Sequence, residues 1–168
     1  MWTPSRLSES ASAAIAKLGA DLLRSRRLMR APIWVYRARL GFLFGHRLLM
    51  LEHTGRRTGL KRFTVLEVLE QPEPNVFIVA SGFGTRAQWF RNVQAYPAVK
   101  VSVGSHVSAP AGARTLDQEE ADAALCAYAE RHRRAWETMK PALESTLGER
   151  ITEHDTPLPM VEFAIAQS

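Results

Sequence analysis

A single cysteine, Cys126, in 168 residues excludes an intramolecular disulfide framework and a cysteine-built metal site. No apolar run reaches the roughly 18 residues that a bilayer-spanning helix needs. Arg6, Glu9 and Lys17 break up the first 20 residues, which hold no apolar stretch between a basic start and a cleavage site, so a secretory signal is not expected. The five histidines (His46, His53, His106, His132, His154) show no paired ligand spacing, and no metal is expected. A Ser-His-Asp constellation is not visible either. The basic residues are not accompanied by a helix-turn-helix, finger or RNA-recognition signature, which argues against nucleic acid as a partner. The expectation is a cytoplasmic chain, or one peripheral on the inner face of the cell membrane.

What is present is an uneven charge. Residues 1–62 hold 13 Lys/Arg against 3 Asp/Glu, a formal +10; residues 63–168 hold 9 against 14, a formal −5. A basic first third suits an anionic partner, whether membrane lipid, nucleic acid or a polyanionic small molecule, or it is simply a solvated face. With 46% hydrophobic residues the chain can bury a core of its own. Residues 1–31 read as a basic helical segment: Ala11 to Leu23 suits a helix, followed by Arg24, Arg26, Arg27 and Arg30. Ile33 to Phe44 mixes Trp34 and Tyr36 with Arg37 and Arg39, as an interfacial amphipathic helix would, or a helix covering one mouth of the domain. An anionic membrane surface is therefore a candidate partner for residues 1–45. Residues 32–168 form the remaining domain.

Leu48 to Thr54 and Arg62 to Leu69 read as strands, joined across Gly55 and Gly59 by a basic turn. Residues 71–75 (QPEPN) form a turn, and residues 75–81 (NVFIVAS) a buried strand. Arg86 to Ala95 suits a helix stopped by Pro97. Val99 to Val103 and, more weakly, Val107 to Arg114 suit strands. Asp117 and Glu120 have capping-box spacing ahead of a helix whose Ala121, Ala124, Leu125, Tyr128 and Ala129 share one face. Helix resumes from Trp136 to Leu147 and ends at Gly148; Leu158 to Ile165 is a last strand. Several short strands with a few helices, without βαβ alternation, indicate an α+β domain with an antiparallel sheet or barrel.

Two segments carry chemistry. Thr54 to Arg62 places Arg56, Arg57, Lys61 and Arg62 on a tight turn, with Thr58 offering a hydroxyl. Glycines allow close backbone approach, and arginine forks suit phosphate or carboxylate. The segment lacks the ending and spacing of a P-loop, so nucleoside triphosphate hydrolysis is not indicated. Composition alone leaves a plain solvent-exposed turn equally open. In the second segment, Ala80-Ser81-Gly82-Phe83-Gly84 precedes Gln88-Trp89-Phe90-Arg91-Asn92. Small residues followed by Trp89 and Asn92 can wall a planar ligand; otherwise Trp89 is a core anchor and Asn92 a cap or turn residue.

In order, TGRRTGLKR, VASGFG and WFRNVQAYP resemble the deazaflavin (coenzyme F420)-dependent nitroreductase family, over roughly Ile33 to His132. The resemblance implies a split β-barrel of about six antiparallel strands with N-terminal, middle and C-terminal helices, of the kind that also binds FMN. It implies hydride transfer from the reduced deazaflavin to a small electron-poor acceptor such as a quinone, enone or nitro compound. By analogy Arg56, Arg57, Thr58, Gly59, Lys61 and Arg62 meet the anionic tail, and Thr64, Val65 and Leu66 flank the ring through backbone groups. Ala80, Ser81, Gly82, Trp89 and Asn92 complete the cofactor site. Tyr128 is a candidate proton donor, with a core role as the competing reading; Trp136 is a candidate for the substrate mouth. Two departures stand out: Val65-Leu66 replaces the Pro-Leu of many relatives, and Gly82 stands where some carry lysine. Alternatives are an FMN, FAD or haem protein of the same fold and a non-enzymatic basic membrane- or nucleic-acid-binding module. Split barrels often pair, so a homodimer is a candidate assembly.

Overall fold

A computed structural model describes residues 45–166. The expected helices of residues 1–44 lie outside the described residues. Six strands follow in chain order: β1 (Leu48–Thr54), β2 (Lys61–Glu73), β3 (Val76–Ala80), β4 (Ala98–Val103), β5 (His106–Thr115) and β6 (Met160–Ile165). They close into a barrel in the order β1-β2-β3-β6-β5-β4, with every pairing antiparallel. Three helices accompany them: α1 (Gln88–Ala95), α2 (Gln118–Arg131) and α3 (Arg133–Leu147). The fold is the expected α+β split barrel.

Strand alternation makes two cores. Leu49, Leu51, Phe77, Val79, Val101 and Phe163, all fully buried, fill the barrel. Phe90 and Val93 of α1 join them, so α1 packs onto this inner core. The outer sides of β2, β3 and β6 present Leu69, Ile78 and Met160 to a second cluster with Leu125, Trp136 and Leu143 of α2 and α3. Each large side chain removed from water contributes about 1.5–3 kcal/mol. The strands shared by both clusters are thus buried on two faces.

Several boundaries differ from the sequence expectation. The strand expected to stop at Leu69 continues to Glu73, and the turn shrinks to Pro74 and Asn75. Pro72 is tolerated because the pairing of β2 with β3 shifts register between Val68 and Glu70 and again before Glu73. β5 is a full strand of 10 residues. Gly84–Arg86 forms a separate 3-10 turn before α1. α3 begins at Arg133, one turn earlier than expected, and keeps Pro141 inside it. The capping box of α2 forms as expected: the Glu120 N–H donates to Asp117 Oδ1 at 2.9 Å, and the Asp117 N–H to Glu120 Oε2 at 3.0 Å.

Candidate functional site

The β1–β2 turn is shaped by its own backbone. The Gly55 N–H donates to the Leu60 carbonyl at 2.8 Å, while the Thr58 and Gly59 N–H groups donate to the Gly55 carbonyl at 3.1 and 2.7 Å. Gly59 takes φ of 67°, a left-handed value that favours glycine. Thr58 Oγ1 accepts from the Leu60 N–H at 3.3 Å. At Gly55 a Cβ would stand 2.9 Å from that oxygen, so the turn closes this tightly only around glycine. Arg57, Lys61 and Arg62 are exposed. Lys61 pairs with Glu52 at 3.2 Å, an exposed ion pair of small energetic weight.

Arg56 is held differently. Its N–H donates to Asn92 Oδ1 at 3.1 Å, and its Nη1 donates to the same oxygen at 3.2 Å and to Gln88 Oε1 at 2.9 Å. Among the described residues these guanidinium bonds use Nη1 only. The Asn92 amide continues inward: its Nδ2 lies 3.1 Å from Nδ1 of His53. His53 and Asn92 are both buried, each 5% exposed. Burial, then the charge of Arg62 opposite it on β2, lowers the His53 pKa to about 4. The imidazole is therefore neutral near pH 7, with Nδ1 facing the Asn92 amide.

The β1–β2 register distributes the remaining candidates over both sides of β2. Arg62, Thr64 and Leu66 stand opposite His53, Leu51 and Leu49, on the barrel side; Val65 stands opposite Met50, on the outer side. At about 3.3 Å per residue, the strand carries its direction roughly 16 Å from Lys61 to Leu66. At the end of β3, Ala80 pairs with Met160 and packs against the outer cluster. Ser81 is fully buried, its N–H donating to the Pro159 carbonyl and its Oγ to the Gly84 carbonyl at 2.7 Å. A Cβ at Gly82 would stand 2.9 Å from Leu143 Cδ2 of α3. Arg86 donates to the Thr146 and Leu147 carbonyls, tying this loop to the end of α3. Trp89 is half-buried, edge-on to Phe90, and packs against the inner core.

Tyr128 lies on the outer side, 3% exposed, with Oη donating to Glu67 Oε1 at 3.1 Å. His132 and Trp136 complete an aromatic cluster around it, with ring centroids 5.2 and 6.4 Å away. Burial, then the Glu67 carboxylate, pushes its phenol pKa up. The structure therefore unites Arg56 with Asn92 and sets Arg62 beside His53, while Tyr128 belongs to a different face. His53, Gln88 and Glu67 were missed as site residues. Gln88 adjoins the Trp89 motif, and His53 sits in a strand at an inward position, where a polar residue needs a partner. Glu67 had no comparable signal.

Among the described residues no cluster of acidic, histidine or cysteine side chains could hold a metal. No helix among them is long and apolar enough to cross a membrane. An open depression of about 320 Å³ lies elsewhere, lined by Val93, Gln94, Pro97, Ala113, Thr115 and Val161, and contains no candidate residue.

Comparison with known proteins gives a family. The family model described as F420H(2)-dependent quinone reductase matches residues 28–161. No curated protein matches the sequence. Among solved structures, an F420-H2 dependent reductase, FDR-A, is 22% identical, covers 71% of this chain and 95% of its own, and aligns with a TM-score of 0.49. The heme storage protein HutZ from Vibrio cholerae is 12% identical over 79% of this chain and 90% of its own, at 0.50. The protein Atu2129 from Agrobacterium tumefaciens is 14% identical over 83% of this chain and 56% of its own, also at 0.50. At such identities the likeness to HutZ and Atu2129 is one of fold.

Proposed function

The chain belongs to the F420H(2)-dependent quinone reductase family, and from that premise we propose that it reduces an electron-poor small molecule at a site bounded by the β1–β2 turn, β2 and α1. A quinone is the first candidate acceptor; enones and nitro compounds share the same electron demand.

The residues fit a ligand with an anionic tail. Four cations cluster at one end of the hairpin, and one of them, Arg56, is immobilised through Nη1. That fixed guanidinium is the observation that carries the reading. A forked donor already oriented loses little freedom on meeting a phosphodiester or carboxylate. Arg57, Thr58, Gly59, Lys61 and Arg62 would hold the remainder of the tail. Thr64, Val65 and Leu66 would flank the ring, with Ala80, Ser81, Gly82, Trp89 and Asn92 closing the site. When bound, the reduced deazaflavin supplies the hydride. Trp89 and the apolar residues about it would keep water from the reacting atoms. A quinone must also gain a proton, and Tyr128, on the outer side of β2, is the candidate donor for an acceptor reaching that face; its Oη donates to Glu67 Oε1 and would have to turn from that carboxylate to protonate an acceptor. The raised pKa keeps the proton on Oη at neutral pH.

The test is fluorescence titration with oxidised coenzyme F420, comparing wild type with Arg56→Ala/Arg57→Ala. Loss of two charge-assisted contacts should weaken binding by about 100-fold. Equal affinity in both proteins would remove the turn from the site. Tight retention of FMN or FAD, with no binding of F420, would replace the deazaflavin by a flavin. The basic residues 1–45 extend the proposal to attachment at an anionic membrane surface, and self-pairing to a homodimer. Deletion of residues 1–31 should release the protein from anionic liposomes; unchanged liposome binding would refute that attachment.

A further inference from the structure

We propose that His53 is a positioning residue: from inside the barrel it fixes the orientation of the Asn92 amide, and the amide fixes the aim of Arg56. This inference rests on the reading that Arg56 meets the anionic tail of the cofactor.

The reasoning follows the hydrogens. Two donors of Arg56, its N–H and Nη1, converge on one atom, Asn92 Oδ1, at 3.1 and 3.2 Å. Only an oxygen can occupy that position, so the other end of the amide, Nδ2, must point at His53 Nδ1, 3.1 Å away. An amide nitrogen only donates, so Nδ1 must present a lone pair and the ring proton must sit on Nε2. Were Nδ1 protonated, two donors would face each other in a site where both residues are 5% exposed. The cheapest relief is rotation of the amide by half a turn, which sets its NH₂ against Arg56 and expels the guanidinium. Gln88, at 2.9 Å from Nη1, is an exposed contact and cannot hold Arg56 alone. A buried neutral acceptor on β1 thereby governs a surface cation on the turn. Chain distance is no obstacle, because β1 leads directly into the turn and α1 packs on β1 beside it.

The first measurement needs no cofactor. Nitrogen NMR of the wild-type protein near pH 7 should show His53 with Nδ1 unprotonated and the proton on Nε2; a protonated Nδ1 would overturn the proposal. The second is titration with coenzyme F420 and with the deazaflavin chromophore lacking phosphate and glutamates. His53→Phe should weaken the complete cofactor about tenfold, the scale of one misdirected charge-assisted bond, and leave the tailless chromophore unchanged. His53→Gln, which restores an acceptor, should recover affinity. Adding Arg56→Ala to His53→Phe should cost little more. If Arg56→Ala weakens binding but His53→Phe does not, this inference fails while the cofactor reading stands. If wild type binds neither compound, the cofactor reading fails instead, and the nitrogen spectrum still decides the coupling.

Discussion

Gly82 and Leu143 lie so close that a side chain at 82 would push its partner aside: a Cβ at 82 would stand 2.9 Å from Leu143 Cδ2. The glycine loop after β3 is therefore shaped to receive α3. Gly82→Ala should destabilise the fold by about 1–3 kcal/mol through overpacking. Adding Leu143→Ala should cost less than the sum of the single changes, because it opens the space that the new methyl needs. Chemical denaturation of the four proteins measures the coupling, and strict additivity would show that the two do not constrain each other.

Acid should weaken this protein through His53. Its folded pKa of about 4 lies below the usual 6.5, so the native state binds fewer protons than the unfolded chain. The contribution is complete above about pH 6.5 and is lost as pH falls through about 4. His53→Phe should lower stability at pH 7 and flatten the decline between those limits. Arg62→Ala removes a charge that depresses this pKa and should move the titration of His53 upward. Urea denaturation at several pH values, with proton NMR of the imidazole, follows both effects.

The capping box of α2 should outweigh the ion pairs beside it. Asp117→Ala removes the bond to the Glu120 N–H and should cost about 1 kcal/mol. Arg114→Ala breaks pairs with Glu120 and Glu162, 2.8 and 3.0 Å long, but the guanidinium is exposed. Its effect on the melting temperature should be the smaller of the two and should fade in salt. Thermal melts in low and high salt rank the pair.

Tyr128→Phe removes a hydroxyl bonded to a carboxylate and leaves the ring packing in place. If Tyr128 delivers the proton, kcat should fall about 100-fold or more, with little change in KM. Loss of stability without loss of kcat would confine the residue to the core. Steady-state kinetics with a quinone, read beside a denaturation curve, separates the two.

Short-range signals made much of this fold legible. β1 runs from Leu48 to Thr54 as its apolar residues and the following glycine indicate, and the Asp117–Glu120 spacing marks the start of α2. Signals from pairing partners were hidden. Pro72 argues against a strand until the irregular pairing of β2 with β3 is known. Within the candidate site, the basic turn could be read because its four cations fall within seven residues, 56–62. The bond between His53 and Asn92 could not, because 39 residues separate them and the motif that holds Asn92 does not reach His53. Glu67 was invisible for the same reason: its partner Tyr128 lies 61 residues away. The readings of residues 1–44 lie outside the described residues.

The circular order of the strands limits how this protein can meet another copy of itself. In a closed ring each strand already has hydrogen-bonding neighbours on both flanks. Continuation of the sheet from one molecule into the next is closed off, and so is the templated stacking that exposed strands invite. A homodimer that meets through the described strands would be assembled from side chains, and point substitutions that leave every backbone bond untouched should be enough to dissolve it.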